Sequence, residues 1–488
     1  MPFANGGLTT SKPSGKVNPN LDALGGPTLT KRIPTWPYAN PKDRHTVSYD
    51  EYVRTGGYNA LKKAISLKPD AITDEVKKSM LRGRGGAGFP CGLKWTFLPK
   101  VTPNADGTEP DAGQRYLAVN ADESEPGTFK DRLLIDFDPH LMLEGIAVAC
   151  YACRIQTAYV FIRGEYHHQA HVLEHAIAEA YKNGIFGKQG LLSGAGTARG
   201  GSFAVDCYVH RGAGAYVCGE ETGLLEAIEG KRGWPRIKPP FPAIKGLFGK
   251  PTIINNVETL AHVPSIVEHG ADWFTKQGVP STFPNAMPSF GTKLMGVSGH
   301  VNRPGVYECE LGIPLRVLCE ELCGGIRNGK KFKGAIAGGV SMGILGPDQY
   351  DAEMDFDIGR KYNVLGLGTS GPTVFDEDTD MVAVARNIAR FFKHESCGQC
   401  TPCREGSGWL YQLMCRIEKG DARTKDLDLA LEIATAMGTM PGTTICGLAD
   451  GNNWAVRTIM NKYWDEFEKR VKPTYVPVKV SVGAMARG

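Results

Sequence analysis

The sequence has no run of about 18 uncharged apolar residues, the length that a membrane-spanning helix requires. We therefore expect no direct insertion into a membrane. The formal net charge is only +4 across 488 residues, with one mild concentration of basic residues at 231–250. This balance gives no reason to expect a nucleic-acid partner. The first ~45 residues lack the arginine-rich amphipathic pattern of a transit peptide, so we expect a processed form if the protein enters an organelle.

The composition is that of an ordinary globular protein, with 42% hydrophobic and 22% charged residues. At roughly 150 residues per domain, the length predicts about three domains. The chain has thirteen cysteines but lacks the sequence pattern of a secreted, disulfide-rich protein. This indicates a reducing compartment, where cysteines are core residues, nucleophiles or metal ligands.

The pattern along the chain predicts a multidomain α/β protein. In its first large domain, strands at Tyr116–Asn120 and Ala158–Arg163 alternate with helices at Leu141–Arg154 and His168–Asn183. Such alternation favours parallel βα units. The predicted segments are an extended N-terminal arm at 1–48, the α/β domain at 49–277, a small mixed α+β unit at 278–375 that opens on a linker at 278–291, a helical bundle at 376–470 and a tail at 471–488.

Three cysteines near the C-terminus, Cys397, Cys400 and Cys403, are each separated by two residues. Such spacing is typical of three thiolates on one iron–sulfur cubane, which needs a fourth ligand from elsewhere. We expect Cys446, on a loop before a helix, as that ligand; Cys415 is the alternative, but its helical apolar pattern indicates core. Structural zinc sites usually use two separated cysteine pairs, so zinc is the weaker interpretation. The remaining cysteines are interpreted as buried apolar residues: Cys91, Cys150, Cys153, Cys207, Cys218, Cys309, Cys319 and Cys323.

The stretch Gly83–Gly88 satisfies G-x-G-x-x-G, but a helix-like segment precedes it where an ordinary Rossmann motif has a strand. Its backbone N–H groups, with Arg84 and Lys94, still suit an anion. Phe89 and Phe97 flank the loop and would stack on a nucleotide ring. The alternative is a structural turn beside core aromatics.

Two further loops combine glycine with carboxylates. Residues 120–128 follow a predicted strand, at the end where open α/β sheets bind ligands, although a solvated acidic loop remains the alternative. Residues 212–223 are rich in glycine and precede a helix predicted at Leu224–Glu229. Together with Asn255 and Asn256, these loops exceed the needs of one ligand, and they favour a flavin plus a dinucleotide.

Five motifs in order resemble the NADH-binding flavoprotein subunits of respiratory complex I. They are G-R-G-G-A-G-F-P at Gly83–Pro90, N-A-D-E-S-E-P-G-T at Asn120–Thr128, G-A-Y-V-C-G-E-E-T at Gly214–Thr222, I-N-N-V-E-T at Ile254–Thr259 and S-C-G-Q-C-T-P-C-R-E-G at Ser396–Gly406. The resemblance spans roughly residues 50–470. It implies an atypical Rossmann-like FMN/NADH domain, a small β-grasp domain of the ubiquitin-like SLBB type, and a C-terminal helical bundle that binds a 4Fe–4S cluster.

The resemblance also implies site residues. The FMN contacts fall on Gly83, Arg84, Gly85, Lys94, Asn120, Asp122, Glu123, Ser124, Tyr216, Gly219, Glu220, Asn255 and Asn256. The NADH contacts fall on Gly86, Phe89, Phe97, Glu125, Glu221, Lys238 and Phe241. The cluster ligands fall on Cys397, Cys400, Cys403 and Cys446.

The implied reaction is hydride transfer from NADH to FMN, followed by one-electron transfer to the cluster and on toward ubiquinone. No side chain is expected to act as nucleophile or acid–base catalyst, and Glu221 would tune the nicotinamide site electrostatically. The expected partners are other complex I subunits, especially a 2Fe–2S flavoprotein subunit and a large multi-cluster iron–sulfur subunit. The expected location is the matrix side of the mitochondrial inner membrane. A diaphorase subunit of an NAD-linked hydrogenase or formate dehydrogenase is the first alternative, and a non-catalytic iron–sulfur scaffold is the second.

Overall fold

The computed structural model describes residues 27–33, 45–102, 104–105, 109–193, 203–438 and 443–473. Its first part is an α/β unit. The elements of this unit are α1 (Tyr49–Arg54), α2 (Asn59–Ile65), α3 (Pro69–Lys78), α4 (Cys91–Trp95), β1 (Tyr116–Ala121), α5 (Lys130–Phe137), α6 (Pro139–Cys153), β2 (Thr157–Ile162), α7 (His167–Lys182), β3 (Asp206–Arg211), α8 (Glu221–Ile228), α9 (Pro242–Lys245), β4 (Thr252–Asn256), α10 (Val257–His269) and α11 (Ala271–Phe274).

The four strands of this unit form one parallel sheet in the order β3-β2-β1-β4. The strands and the two long helices predicted at Leu141–Arg154 and His168–Asn183 are confirmed within one or two residues. In the sheet register Asn120 lies opposite Asn256, so the carboxyl ends of β1 and β4 meet at one edge. Because β1 is central, the loop after it opens between two neighbours, where ligands of such sheets bind.

Helix α6 is buried along its whole length and forms the centre of the core on one face of the sheet. Its neighbour α10 crosses it closely: a Cβ added at Gly145 would lie 2.1 Å from the Leu260 carbonyl oxygen. Cys150 and Cys153 are buried in this helix, as predicted. The apolar stretch Pro139–Cys153 is therefore a helix of the protein core.

The second part is a mixed sheet with a short helical segment. Its elements are β5 (Gly278–Val279), β6 (Ser289–Phe290), β7 (Thr292–Gly299), β8 (Gly305–Glu310), α12 (Leu315–Val317), β9 (Phe332–Ile336), β10 (Ile344–Leu345), α13 (Ile358–Tyr362) and β11 (Thr373–Asp376). Five strands pair in the order β10-β9-β11-β7-β8, with β11 parallel to β7. The predicted linker at 278–291 contains the β5–β6 hairpin, so it is structured at both ends.

The third part is the predicted helical bundle, formed by α14 (Met381–Glu395), α15 (Thr401–Glu418), α16 (Thr424–Gly438), α17 (Leu448–Lys462) and α18 (Trp464–Glu468). Its core includes Phe392, Leu410 and Ile459, all fully buried. The helix predicted at Trp454–Lys469 is two helices, because the chain turns at Tyr463. Helix α17 also packs against the 340–342 turn of the mixed sheet, which joins the two parts.

Most of the predicted arm and tail lies outside the described residues. The described segment 27–33 is held by the Glu308 carboxylate, which accepts hydrogen bonds from the backbone N–H groups of Thr28, Leu29 and Thr30 at 2.9–3.1 Å. Arg32 adds a buried ion pair with Asp138 at 3.2 Å. Within the described ranges, no helix combines the length and apolarity needed to cross a bilayer.

Candidate functional site

A cavity of about 610 Å³ opens where the three parts meet. Its volume is in the range of ordinary small-molecule sites. Of the predicted FMN residues, nine line it: Gly85, Asn120, Asp122, Glu123, Ser124, Tyr216, Gly219, Glu220 and Asn256. Gly86 and Glu125 of the predicted NADH set and Cys446 of the predicted cluster set line it too. The individual contacts with FMN and NADH stay predictions.

The glycine-rich loop forms one wall of the cavity. As expected, it follows a helix, α3, and not a strand. Gly85 passes so close to β4 that an added Cβ would lie 3.0 Å from the Asn256 Cβ. Any larger residue would therefore push Asn256 into the cavity or the loop away from it.

Four predicted FMN residues do not line the cavity: Gly83, Arg84, Lys94 and Asn255. The Arg84 side chain is fully buried and donates to the Phe290 carbonyl at 2.7 Å, so its charge points away from the ligand space. The Asn255 amide oxygen accepts from Trp95 Nε1 at 2.9 Å. These two side chains hold the loop and strand in place.

The acidic loop after β1 forms the second wall. Burial raises the pKa of Asp122 to about 7, and its Oδ2 has no hydrogen-bond partner among the described residues. Glu123 accepts from the backbone N–H groups of Asp131 and Arg132 at the start of α5, at 2.6 and 2.8 Å. Burial, reinforced by the nearby Asp131 charge, raises its pKa to about 7 as well. The unpaired Asp122 oxygen is thus the free acceptor of this wall.

Glu125 joins the first two parts of the molecule. It accepts from the Tyr216 hydroxyl at 2.6 Å and from the Ser341 backbone N–H at 2.7 Å. Burial raises the pKa of this carboxyl. Tyr216 packs edge-on against Phe391 of the bundle, with ring centroids 5.1 Å apart. Tyr216 therefore contacts both the cavity and the bundle.

The third loop carries paired carboxylates. Glu220 accepts from the backbone N–H groups of Thr222 and Gly223, so α8 begins at Glu221 and earlier than predicted. Lys238 contacts Glu220 at 3.1 Å and Glu221 at 2.7 Å, and Lys94 approaches Glu221 to 3.6 Å. Burial acts to raise the pKa of Glu221, but the two lysines outweigh it and hold the pKa below its ordinary value. Glu221 is therefore a paired anion outside the cavity lining.

Phe89, Phe97 and Phe241 of the predicted NADH set also lie outside the cavity lining. Their exposed fractions are 42%, 48% and 59%. Phe89 and Phe97 form a tilted pair with centroids 5.9 Å apart. Large rings left this open to solvent are available to stack on a planar ligand.

The four predicted cluster cysteines lie close together at the start of α15 and α17. Gly398 takes a left-handed φ of +77°, which lets the chain turn between the first two cysteines. Burial raises the pKa of Cys403 to about 11, and the Cys400 and Cys397 thiols also act on it. Burial likewise raises the pKa of Cys446 to about 12, with added effects of Cys403 and Cys397. These effects place the thiols within electrostatic reach of one another.

The residue type and spacing of these donors are those that an iron–sulfur cluster takes. No three His, Cys, Asp or Glu side chains among the described residues gather closely enough to hold one metal ion. A tetrahedral zinc, with Zn–S bonds of about 2.3 Å, would draw its thiolates to roughly 3.8 Å from one another. A cubane instead holds one thiolate at each iron and keeps them farther apart. Cys415 is half-buried on α15 and lies outside the packed core, so its predicted core role is wrong.

Other cavity residues were missed by the sequence patterns. They are Arg82, Ala87, Thr128, Asp131, Val217, Gly338, Ser341, Met342, Phe356, Leu365, Gly366, Leu367, Gly368, Thr369, Gly447 and Leu448. The mixed-sheet unit supplies most of them. The glycine-rich runs at 338–343 and 366–371 were the available signal.

Comparison with known proteins matches all three parts. Residues 76–265 match the family model described as the Nuo51 FMN-binding domain. Residues 294–345 match the SLBB domain, and residues 383–470 match the NADH-ubiquinone oxidoreductase-F iron-sulfur binding region.

Full-length relatives are similar over most of the chain. The chain is 45% identical over 455 residues to "NADH dehydrogenase [ubiquinone] flavoprotein 1, mitochondrial" of Dictyostelium discoideum, covering 93% of this chain and 89% of that protein. It is 46% identical to an NADH-quinone oxidoreductase subunit of Rhizobium meliloti, covering 89% of this chain and 96% of that protein. Among solved structures, an air-oxidized NAD+-reducing [NiFe]-hydrogenase matches with a TM-score of 0.73 and 33% identity, covering 94% of this chain and 74% of that chain.

Proposed function

The chain belongs to the family of NADH-binding FMN subunits of respiratory complex I, and from this premise we propose that it is the electron-entry subunit, which oxidises NADH and passes electrons toward ubiquinone. The observation that carries the proposal is the cavity lining, in which the glycine-rich loop, the acidic loop and Cys446 face the same space. When bound, FMN supplies the conversion between the two-electron chemistry of NADH and the one-electron chemistry of a 4Fe–4S cluster.

We propose that the acidic wall orients the flavin. The Asp122 Oδ2 atom, buried and without a partner among the described residues, would accept a hydrogen bond from a ribityl hydroxyl or a ring N–H. The backbone of Gly85 and Gly86 would lie along the ligand, since both residues line the cavity without a side chain to block it. Asn120 donates to the Gly219 carbonyl at 2.9 Å and so holds the second and third loops together.

We propose that NADH is held at the cavity rim by the exposed rings of Phe89, Phe97 and Phe241. Glu221 lies between Lys94 and Lys238, and its charge is held in place by both. A fixed anion there would favour the positive charge that the nicotinamide ring gains when it gives up hydride. The rim residues thus align the substrate, and no side chain has to break a bond.

For the electron outlet we propose Cys397, Cys400, Cys403 and Cys446 as the cluster ligands. Cys446 lines the cavity directly, and Tyr216 lies between the cavity and Phe391 of the bundle. One of the proposed ligands thus borders the ligand space itself, which suits electron transfer from the flavin to the cluster.

As a complex I subunit the chain has other complex I subunits as partners. We propose that these include a 2Fe–2S flavoprotein subunit and a multi-cluster iron–sulfur subunit, because one cluster in this chain needs a further acceptor. The similarity to a mitochondrial flavoprotein supports a peripheral position on the matrix side of the inner membrane. NAD-reducing hydrogenases share the fold at 32–33% identity, whereas the complex I relatives reach 44–46%.

An anaerobic optical titration tests the proposal. We expect flavin absorbance that NADH bleaches, and a reduced-cluster EPR signal that depends on bound flavin. Cys403→Ala should keep part of the NADH:ferricyanide activity and lose transfer to quinone in the assembled complex. Flavin absorbance that NADH leaves unchanged would contradict electron entry, and quinone transfer as fast as ferricyanide reduction in the variant would contradict the proposed outlet.

A further inference from the structure

Four buried charged side chains that the proposed function leaves unused form a continuous chain behind the cavity. Lys130 contacts Asp131 at 2.8 Å and Glu258 at 2.7 Å, and Lys293 contacts Glu258 at 3.4 Å. Each of the four is at most 3% exposed. We call Asp131, Lys130, Glu258 and Lys293 the buried ion chain. It places two lysines against two carboxylates away from water, and burial lowers the pKa of Lys293 to about 7.

One end of the buried ion chain fixes Asn256. The Asn256 Nδ2 donates to Asp131 Oδ2 at 2.7 Å, while its Oδ1 accepts from the Glu258 backbone N–H at 3.0 Å. The two contacts leave only one choice for the amide orientation. Asp131 and Asn256 both line the cavity. Asp131 and the Glu258 N–H together therefore fix which amide face the ligand meets.

The other end holds the glycine-rich loop. Lys293 lies on β7 of the mixed sheet and donates to the Arg84 carbonyl at 2.9 Å. The Arg84 N–H donates to Thr259 Oγ1 at 2.8 Å, so both backbone groups of this residue are anchored. The loop is thereby tied to the mixed-sheet unit and to α10 at the same point.

A role in stability alone accounts poorly for this arrangement. Buried ion pairs contribute little more to stability than apolar residues of the same shape. Their additional effect is on geometry, because each charged group fixes the orientation of the hydrogen-bonding groups next to it. Here both fixed ends lie on walls of one cavity.

We propose that the buried ion chain positions the flavin site, with Asp131 acting through Asn256 and Lys293 acting through the Arg84 carbonyl. The proposal rests on FMN binding in this cavity. An asparagine at 131 would present an N–H to either Lys130 or Asn256, which are both donors, so one of these two contacts would be lost and the hold on the Asn256 amide weakened. A methionine at 293 would keep the side-chain volume and release the loop carbonyl.

The test is FMN titration of the full chain, depleted of flavin, by fluorescence quenching. We expect Asp131→Asn and Lys293→Met each to raise the Kd for FMN about tenfold or more, which corresponds to about 1.4 kcal/mol. The matched controls are Asp136→Asn, on the same helix but bonded to Gln169, and Lys333→Met, on β9 and paired with Glu466. Both controls should stay within about twofold of wild type, because neither side chain reaches the cavity wall.

A double-mutant cycle separates positioning from general damage. In an Asn256→Ala background, Asp131→Asn should change the Kd for FMN by less than about twofold, because its route of action is gone. If Asp131→Asn does not yield folded protein, Asp131→Asn with Lys130→Met removes both charges together and is titrated in its place. FMN affinity at the wild-type level in Asp131→Asn or in Lys293→Met, or an Asp131 effect of equal size in both backgrounds, overturns the inference. A wild-type chain that takes up no FMN overturns the proposed function itself.

Discussion

Replacing Asp122 by asparagine should change how the stability of the FMN-free protein depends on pH. The carboxyl lies at the end of β1, is 2% exposed and has an Oδ2 without a partner among the described residues. Burial raises its pKa to about 7. Asparagine has nearly the same shape and carries no charge at any pH, so the substitution isolates the cost of ionising this group.

The sign follows from proton binding. Because the pKa in the folded protein lies above the unfolded value of about 3.9, the Asp122 carboxyl contributes stability that is fully present below pH 3.9. That stability is lost as the pH rises through about 7. One pKa unit is worth about 1.36 kcal/mol, so the whole loss is roughly 4 kcal/mol, of which roughly 2 kcal/mol falls between pH 5.5 and 8. The asparagine variant has no carboxyl at this position and therefore does not lose this stability between pH 5.5 and 8.

The assay is chemical unfolding of the FMN-free wild type and Asp122→Asn between pH 5.5 and 8. The difference between the two free energies of unfolding should grow by roughly 2 kcal/mol toward pH 8 in favour of the variant. The other buried carboxyls contribute equally to the free energy of unfolding of both proteins, so their contributions cancel in this difference. The exposed Asp428, changed to asparagine, is the matched control and should give a flat difference. Bound FMN should shrink the effect, because donors from the ligand stabilise the charged form.

A difference that stays constant from pH 5.5 to 8 would refute the reasoning, since it would mean that Asp122 titrates alike in the folded and unfolded protein. The variant should also bind FMN about 10- to 100-fold more weakly, because a hydrogen bond to a charged acceptor is worth about 1.5–3 kcal/mol. Equal affinity would show that the ligand does not use this oxygen.

Three further outcomes are expected. In steady-state assays, Phe97→Ala should raise the KM for NADH roughly 5- to 100-fold with little change in kcat, because stacking on a base is worth about 1–3 kcal/mol. An unchanged KM would show that Phe97 is not part of the NADH site. Cys446→Ser should abolish the 4Fe–4S EPR signal, whereas Cys415→Ser should leave it intact; the reverse result would exchange the two assignments. Phe392→Ala should lower the free energy of unfolding by about 3–5 kcal/mol in denaturant unfolding, because it leaves a cavity in the bundle core. Trp409→Ala, at an exposed position, should change it by no more than about 0.5 kcal/mol, and equal effects would contradict the packing described.

The sequence predicted the elements well where a continuous apolar pattern extends over a whole segment. The helix at Pro139–Cys153 and the strands at Tyr116–Ala121 and Thr157–Ile162 are set by local apolar patterns, so their positions could be read directly. Short strands such as Ile344–Leu345 were not predicted, because two residues are too few to show a periodic pattern. The break between the two helices at Tyr463 was not predicted either, because the helical spacing of apolar residues continues across it.

The candidate site was less complete from sequence than the fold. Glycine loops and clustered cysteines are visible as residue types, so the chemistry of a flavin, a dinucleotide and a cluster was within reach. Ser341 and Asp131 were not, because serine and aspartate are common and nothing local distinguishes a cavity-lining one. Their importance comes from partners far along the chain: Ser341 donates to Glu125, 216 residues away, and Asp131 accepts from Asn256, 125 residues away.

The sequence by itself thus determined which chemical groups this protein brings: four cysteines as candidate cluster ligands, three loops as candidate nucleotide contacts, and carboxylates at strand ends. Only the tertiary structure decided which side chains face the ligand space. Arg84 and Asn255 belong to the motifs but turn into the protein, whereas the mixed-sheet unit, without any motif for a ligand, supplies much of one cavity wall. The physical reason is that side-chain direction depends on which distant elements pack against a segment. That packing is settled only when the three parts close around the cavity.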